Sequence, residues 1–255
     1  MNDLVPNYLI PYVLSGTSAI IAVVLFGLYR ALKLDQWSAR DRRQAVGTGA
    51  VLLVAWFFTA LLLSWLGFYR GAPSRVPTIQ YGVLLPIVVG VALFWRWRVL
   101  RRVLEAVPQH WIVSVQIYRA LGLIFLVLYA GGRLPGVFAW PAGAGDVIVG
   151  VLAPFVGIAY ARRSRNAAAL VRAWNRFGIV DLIVAVATGL LTSPSPFQMF
   201  ALGAPNQLIS AFPLAMVPVF LVPLSVLLHL ASLQKLRQLE TGQQVPHPLL
   251  AGERS

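Results

Sequence analysis

Arg119 lies inside VSVQIYRALGLIFLVLYAGG, residues 113–132, a stretch with no other formal charge. A guanidinium at mid-helix in hydrocarbon costs about 2.5 to 3.5 kcal/mol on insertion scales, so it is expected to face the protein interior with an acidic partner. The acids within comparably apolar surroundings are Asp146 and Asp181. An arginine paired with a carboxylate inside a bundle admits two kinds of chemistry. It can line a polar cavity for a small solute, an ion or a proton, or it can clamp two helices together without moving anything.

The elements that must position these side chains follow from composition. Of the 255 residues 58% are hydrophobic and 11% charged. A hydrocarbon core about 30 Å thick takes roughly 20 apolar residues to cross as a helix, and a backbone facing lipid must satisfy its own hydrogen bonds. The expectation is an all-α, polytopic bundle of seven spans, near 7–30, 46–69, 77–96, 110–131, 145–161, 175–192 and 206–233. The N-terminal apolar run is too long for a signal peptide and is expected to remain as the first span. Residues 1–234 then form the membrane domain, and 235–255 a cytoplasmic tail, helical at first and then disordered.

The net charge of +13 would suggest nucleic acid in a soluble domain. Here the basic residues gather after the first, third and fifth helices and at the C-terminus, while the alternate connections hold Arg70, Arg75 and Arg133. By the positive-inside rule this puts the N-terminus outside and the C-terminus in the cytoplasm. The expected partner is therefore the bilayer, with anionic lipid at the inner basic loops, and not nucleic acid.

Interfacial tryptophans serve as a depth ruler. Arg119 is eight residues beyond Trp111 and Asp181 seven beyond Trp174. Both are then roughly 10 to 12 Å in from the inner interface at 1.5 Å per residue. This predicts an Arg119–Asp181 pair, with Gln116 one turn before the arginine and Asn175, Gly178 and Thr188 on the stripe of Asp181. Asn206 and Gln207, at the start of the seventh helix, are further cavity candidates. Counted outward from Tyr160, Asp146 stands on the order of 21 Å up, near the outer face, where a helix N-terminus favours an acid. The Pro- and Gly-rich segment before it, residues 131–150, is expected to cap the bundle or dip into the interface. Gly150, Ala153 and Gly157 make a small-residue face suited to close helix packing.

Gly143-Ala144-Gly145-Asp146 fits a GxGD pattern and locally resembles the catalytic helix of intramembrane aspartyl proteases. The resemblance implies an aspartate dyad. The second aspartate of that family lies in a Tyr-Asp motif where this chain has Tyr118-Arg119, and the depth count holds Asp181 roughly 10 to 15 Å from Asp146, so an enzyme is not expected. More broadly, QIYRALGLIFLVLYAGGRLPGVFAWPAGAGD, within residues 108–232, resembles an uncharacterised family of bacterial seven-helix inner-membrane proteins. That resemblance implies a multi-pass protein of the bacterial cytoplasmic membrane and carries no activity.

No cysteine is present, which removes thiolate metal sites and cysteine nucleophiles. His110 and His229, both expected near the inner face, raise paired haem ligation as an alternative to no cofactor. Gln80 and Pro86 recur as Gln207 and Pro213 at a shift of 127, a faint three-plus-one-plus-three repeat of the kind found in small transporters. Two functions stay open. One is a small-solute or ion transporter with a cavity around the Arg–Asp pair. The other is a non-catalytic receptor-like or scaffolding subunit in which the pair is structural.

Overall fold

The computed structural model describes residues 5–240. It contains seven helices long and apolar enough to cross a membrane. In chain order these are α1 (Leu9–Leu34), α2 (Ala39–Trp65), α3 (Ile79–Arg96), a composite fourth span, α7 (Gly136–Ala161), α8 (Ala167–Thr192) and a span ending in α9 (Val222–Glu240). The composite fourth span joins α5 (Gln109–Ser114), a 3-10 segment (Val115–Gly122) and α6 (Leu123–Ala130). Between α3 and α5 lies α4 (Arg98–Ala106), a short amphipathic helix that the sequence reading did not foresee.

Large apolar side chains stay exposed around the bundle, among them Phe26, Trp65, Leu85, Trp95, Phe155 and Ile183. An apolar belt of this extent is foreign to the surface of a soluble monomer and fits a multi-pass membrane protein.

Several helix ends differ from the expected ones. α7 begins at Gly136, so most of the expected outer cap is helix, with Pro141 and Pro154 inside it. Proline is tolerated here because neighbouring helices cover the freed carbonyls. α8 begins at Ala167, about two turns before the expected start, and Trp174 is 4% exposed, its indole donating to Val149 O at 3.1 Å. It therefore packs inside the bundle and does not mark an interface. The seventh span starts at Val217, where a π segment (Val217–Leu221) leads into α9. α9 runs to Glu240, and the rest of the expected tail lies outside the described residues. Pro86 sits inside α3 while Pro213 precedes the π segment, so these two positions of the suspected repeat are not equivalent.

α7 is the centre of the body, packed against the whole fourth span and α8, with α9 against α8, α5 and α3. Glycines at seven-residue spacing make the approach close. A Cβ built at Gly150 would collide with Ala120 N, one at Gly157 with Ser114 Oγ, and one at Gly143 would come within 2.8 Å of Leu126. Without a hydrophobic drive between helices in lipid, such small-residue faces decide which helices meet. The α1–α2 hairpin is more peripheral. The buried residues of α2 are Phe57, Ala60 and Ser64, all in its later part, and Phe220 of the π segment packs on Trp56 and Phe57 with ring centroids 4.5 and 5.8 Å away.

Candidate functional site

Arg119 projects from the 3-10 segment and is 3% exposed. Its Nε donates to Asp146 Oδ1 at 2.7 Å, and Nη2 lies 2.7 Å from the same oxygen and bonds Asp181 Oδ2. Nη1 donates to Gly178 O at 3.2 Å and faces His229 Nε2 at 3.2 Å. Every N–H of the guanidinium thus has an acceptor. The expected contact with Asp181 is present, and Asp146, expected at the outer face, completes it.

Two corrections explain the third member. Because α7 starts at Gly136, Asp146 is ten residues into a helix, roughly 15 Å past its first turn, beyond the reach of any N-terminal dipole effect. Measured from the helix ends at the basic side, Asp146 is roughly 22 Å in from Ala161 and Asp181 roughly 21 Å in from Ala167. The two acids therefore share one depth. Arg119 reaches it because a 3-10 segment rises about 2.0 Å per residue, and its own side chain is long.

The carboxylates meet on one nitrogen, which holds the interacting oxygens within about 5.5 Å of each other. The depth argument against an aspartate dyad therefore fails. A different one replaces it: a shared-proton dyad needs two carboxyls facing each other, whereas here a guanidinium between them favours both ionised forms.

From the triad a string of hydrogen bonds runs toward the basic end. His229 Nδ1 pairs with Asn175 Oδ1 at 2.9 Å, so Nδ1 carries the proton and Nε2 accepts from Arg119. Asn175 Nδ2 donates to Val171 O at 2.8 Å and to Ser232 Oγ at 2.9 Å. Gln109 Nε2 donates to Ser232 Oγ at 2.8 Å and to Ser232 O at 3.0 Å. Asn175, His229, Ser232 and Gln109 are all buried. With both ring nitrogens engaged, His229 has none left for a haem iron. His110 is not part of the string and sets its ring edge against Trp111.

Gln116 is fully buried, and neither its Oε1 nor its Nε2 has a hydrogen-bond partner among the described residues. Three residues before Arg119 in a 3-10 segment, it is nearly eclipsed with the arginine. Asn206 and Gln207 are elsewhere. Asn206 N donates to Thr192 O at 2.9 Å, roughly 16 Å along α8 from Asp181, and Gln207 is exposed. Thr188 bonds its own helix at Val184 O. The residues that sequence reasoning missed are on α9: Ser225, His229 and Ser232 recur at helical spacing as one polar stripe.

A cavity of about 40 Å³ adjoins the triad, lined by Arg119, Asp146 and Tyr118 of the body, by Thr17 of α1, and by Val217 and Leu221 of the π segment. Tyr118 Oη and Ser225 Oγ, 2.6 Å apart, close one wall. The cavity holds water-sized occupants only.

A family model described as a domain of unknown function (DUF8737) matches residues 76–237, more than half of the chain. The chain belongs to this family. The matched region begins ahead of α3, earlier than the stretch whose resemblance the sequence suggested, and contains the triad and its string of partners. The α1–α2 hairpin lies outside it. Comparisons with curated proteins and with solved structures return no match.

Proposed function

We propose that this multi-pass protein is a proton-linked transporter of a small solute, with Asp146, Arg119 and Asp181 as its ion site and the basic end of the bundle in the cytoplasm. The observation that carries the reading is the company of the triad. Two carboxylates share one guanidinium, leaving one excess negative charge at mid-bundle, beside a water-sized cavity walled by a 3-10 segment and a π segment. Non-α backbone at membrane depth is tolerated where protein covers it or a cavity is lined, and discontinuous helices at the midplane are how transporters build ion sites. The excess charge is what a proton neutralises, and Asp146, whose side chain is 15% exposed against 8% for Asp181, is its accessible carrier.

Full-length protein in liposomes loaded with a pH-sensitive dye tests this. Under an imposed potential, wild type acidifies the lumen faster than empty liposomes do, and Asp146→Asn does not. Wild-type liposomes indistinguishable from empty ones would sink the proposal.

The second reading, a scaffolding subunit with a structural clamp, is favoured by the saturation of Arg119 and the close glycine packing around it. On that reading Asp146→Asn alters stability alone.

A further inference from the structure

A second, much larger space lies between the α1–α2 hairpin and the body. From Val23 onward α1 loses the continuous buried face of its first half, and α2 has no buried residue before Phe57. The hairpin leans on the body at one end and stands off at the basic end. The gap is a crevice of about 2140 Å³ that also runs along α3, α4, α5 and α9. Small-molecule pockets span about 300 to 1,000 Å³, so this one is too large for the solute of a mid-bundle site.

Its chemistry changes with depth. Leu52, Trp56 and Leu227 line the deep part, and Arg30, Trp37 and Arg102 stand at the rim. On α1, Val23 is twelve residues from Asp35, a span of roughly 18 Å. That is close to the roughly 15 Å of hydrocarbon in one leaflet. An apolar shaft one leaflet deep with a charged rim has the dimensions of a bilayer lipid.

The rim charges say which end of the lipid sits there. Asp35 Oδ2 accepts from Trp37 Nε1 at 3.0 Å, and Asp41 Oδ2 accepts from Ser38 Oγ at 2.7 Å. Lys235 Nζ donates to Leu104 O at 3.0 Å and Glu105 O at 2.6 Å, closing the end of α4. Those three are committed. Arg30 forms no hydrogen bond or ion pair among the described residues, and Arg102 stacks over Trp37 at 5.5 Å with its N–H groups unspent. Against them stands only Glu105, so the uncommitted rim charge is a single positive one.

We infer that this crevice is a binding site for one glycerophospholipid, its acyl chains between α1–α2 and α9 and its phosphate held by Arg30 and Arg102. Basic pockets between spans recognise lipid headgroups by the same pairing of guanidinium with phosphate. The inference does not depend on the transport reading.

Native mass spectrometry of the delipidated full chain, back-titrated with phosphatidylglycerol, phosphatidylethanolamine or diacylglycerol, tests it. Wild type should take up one phospholipid saturably, with diacylglycerol at least tenfold weaker. R30Q/R102Q, at exposed positions free of other bonds, should lose that preference at unchanged helicity. A second variant, L52W/L227W, should exclude lipid by filling the shaft with both arginines intact. Equal uptake of the two phospholipids assigns recognition to the phosphate, and preference for phosphatidylglycerol adds the net charge of the headgroup; either supports the site. Diacylglycerol binding as well as the phospholipids, or undiminished phospholipid uptake by both variants, would overturn it.

Discussion

The carboxylate of Asp181 occupies the place where a Cβ on Gly145 would be. One methyl group there must displace either α7 or the acid that Arg119 holds. Overpacking alone costs about 1 to 3 kcal/mol, and breaking a buried ion pair costs about 3 to 5 kcal/mol, so Gly145→Ala should lose roughly 3 kcal/mol. Gly47→Ala, where nothing lies within 4 Å of the new Cβ, is the control. It should stay within about 1 kcal/mol of wild type, on the stabilising side. Thermal unfolding in detergent measures both, and equal effects would contradict this packing.

Removing Arg119 strands two acids. Arg119→Met is expected to cost on the order of 3 to 5 kcal/mol, because it leaves both carboxylates buried without their cation. Adding Asp146→Asn and Asp181→Asn to it should recover most of that loss, since a neutral, hydrogen-bonding interior is cheaper than an unpaired charge. A triple variant no more stable than the single one would mean that the charges are not what the site is built around.

Gln116→Met should raise stability by about 1 to 3 kcal/mol, the cost of two buried amide groups without partners. If the amide serves a transported solute or its water, the same variant loses flux while it unfolds at higher temperature. A fall in stability would show that Gln116 has structural partners after all.

His229 can be tested through its tautomer. His229→Gln retains a donor for Asn175 and an acceptor for Arg119, whereas His229→Phe orphans both, at about 1 to 3 kcal/mol for each buried group. The glutamine variant should therefore be clearly the more stable of the two. Gly178→Ala should resemble the phenylalanine variant, because a Cβ at Gly178 would strike the imidazole at Nε2.

The exposed Arg172–Glu240 pair makes a contrast. It is bidentate, at 2.8 and 3.1 Å, but both side chains are more than a third exposed. Arg172→Ala should change stability by less than about 1 kcal/mol, and less still in high salt.

Along the chain, the sequence determined what transfer from water to lipid controls. Length and hydropathy of the apolar runs, and the need of Arg119 for an acid, are properties of a segment and can be read one segment at a time. The starts of α7 and α8 escaped that reading. Pro135, Pro141 and the glycines between them look like a loop in isolation, and Trp174 looks like an interface marker. Both readings change once neighbouring helices cover the backbone and take up the indole N–H. The joining of Asp146 to Asp181 through Arg119, the capture of His229, and the gap beside α1 and α2 belong to the tertiary structure alone. Hydropathy cannot distinguish a lipid-facing side from a helix-facing one, because lipid tails are as apolar as leucine. The choice falls to close fit at Gly143, Gly150 and Gly157, whose missing side chains matter only in the presence of a particular partner.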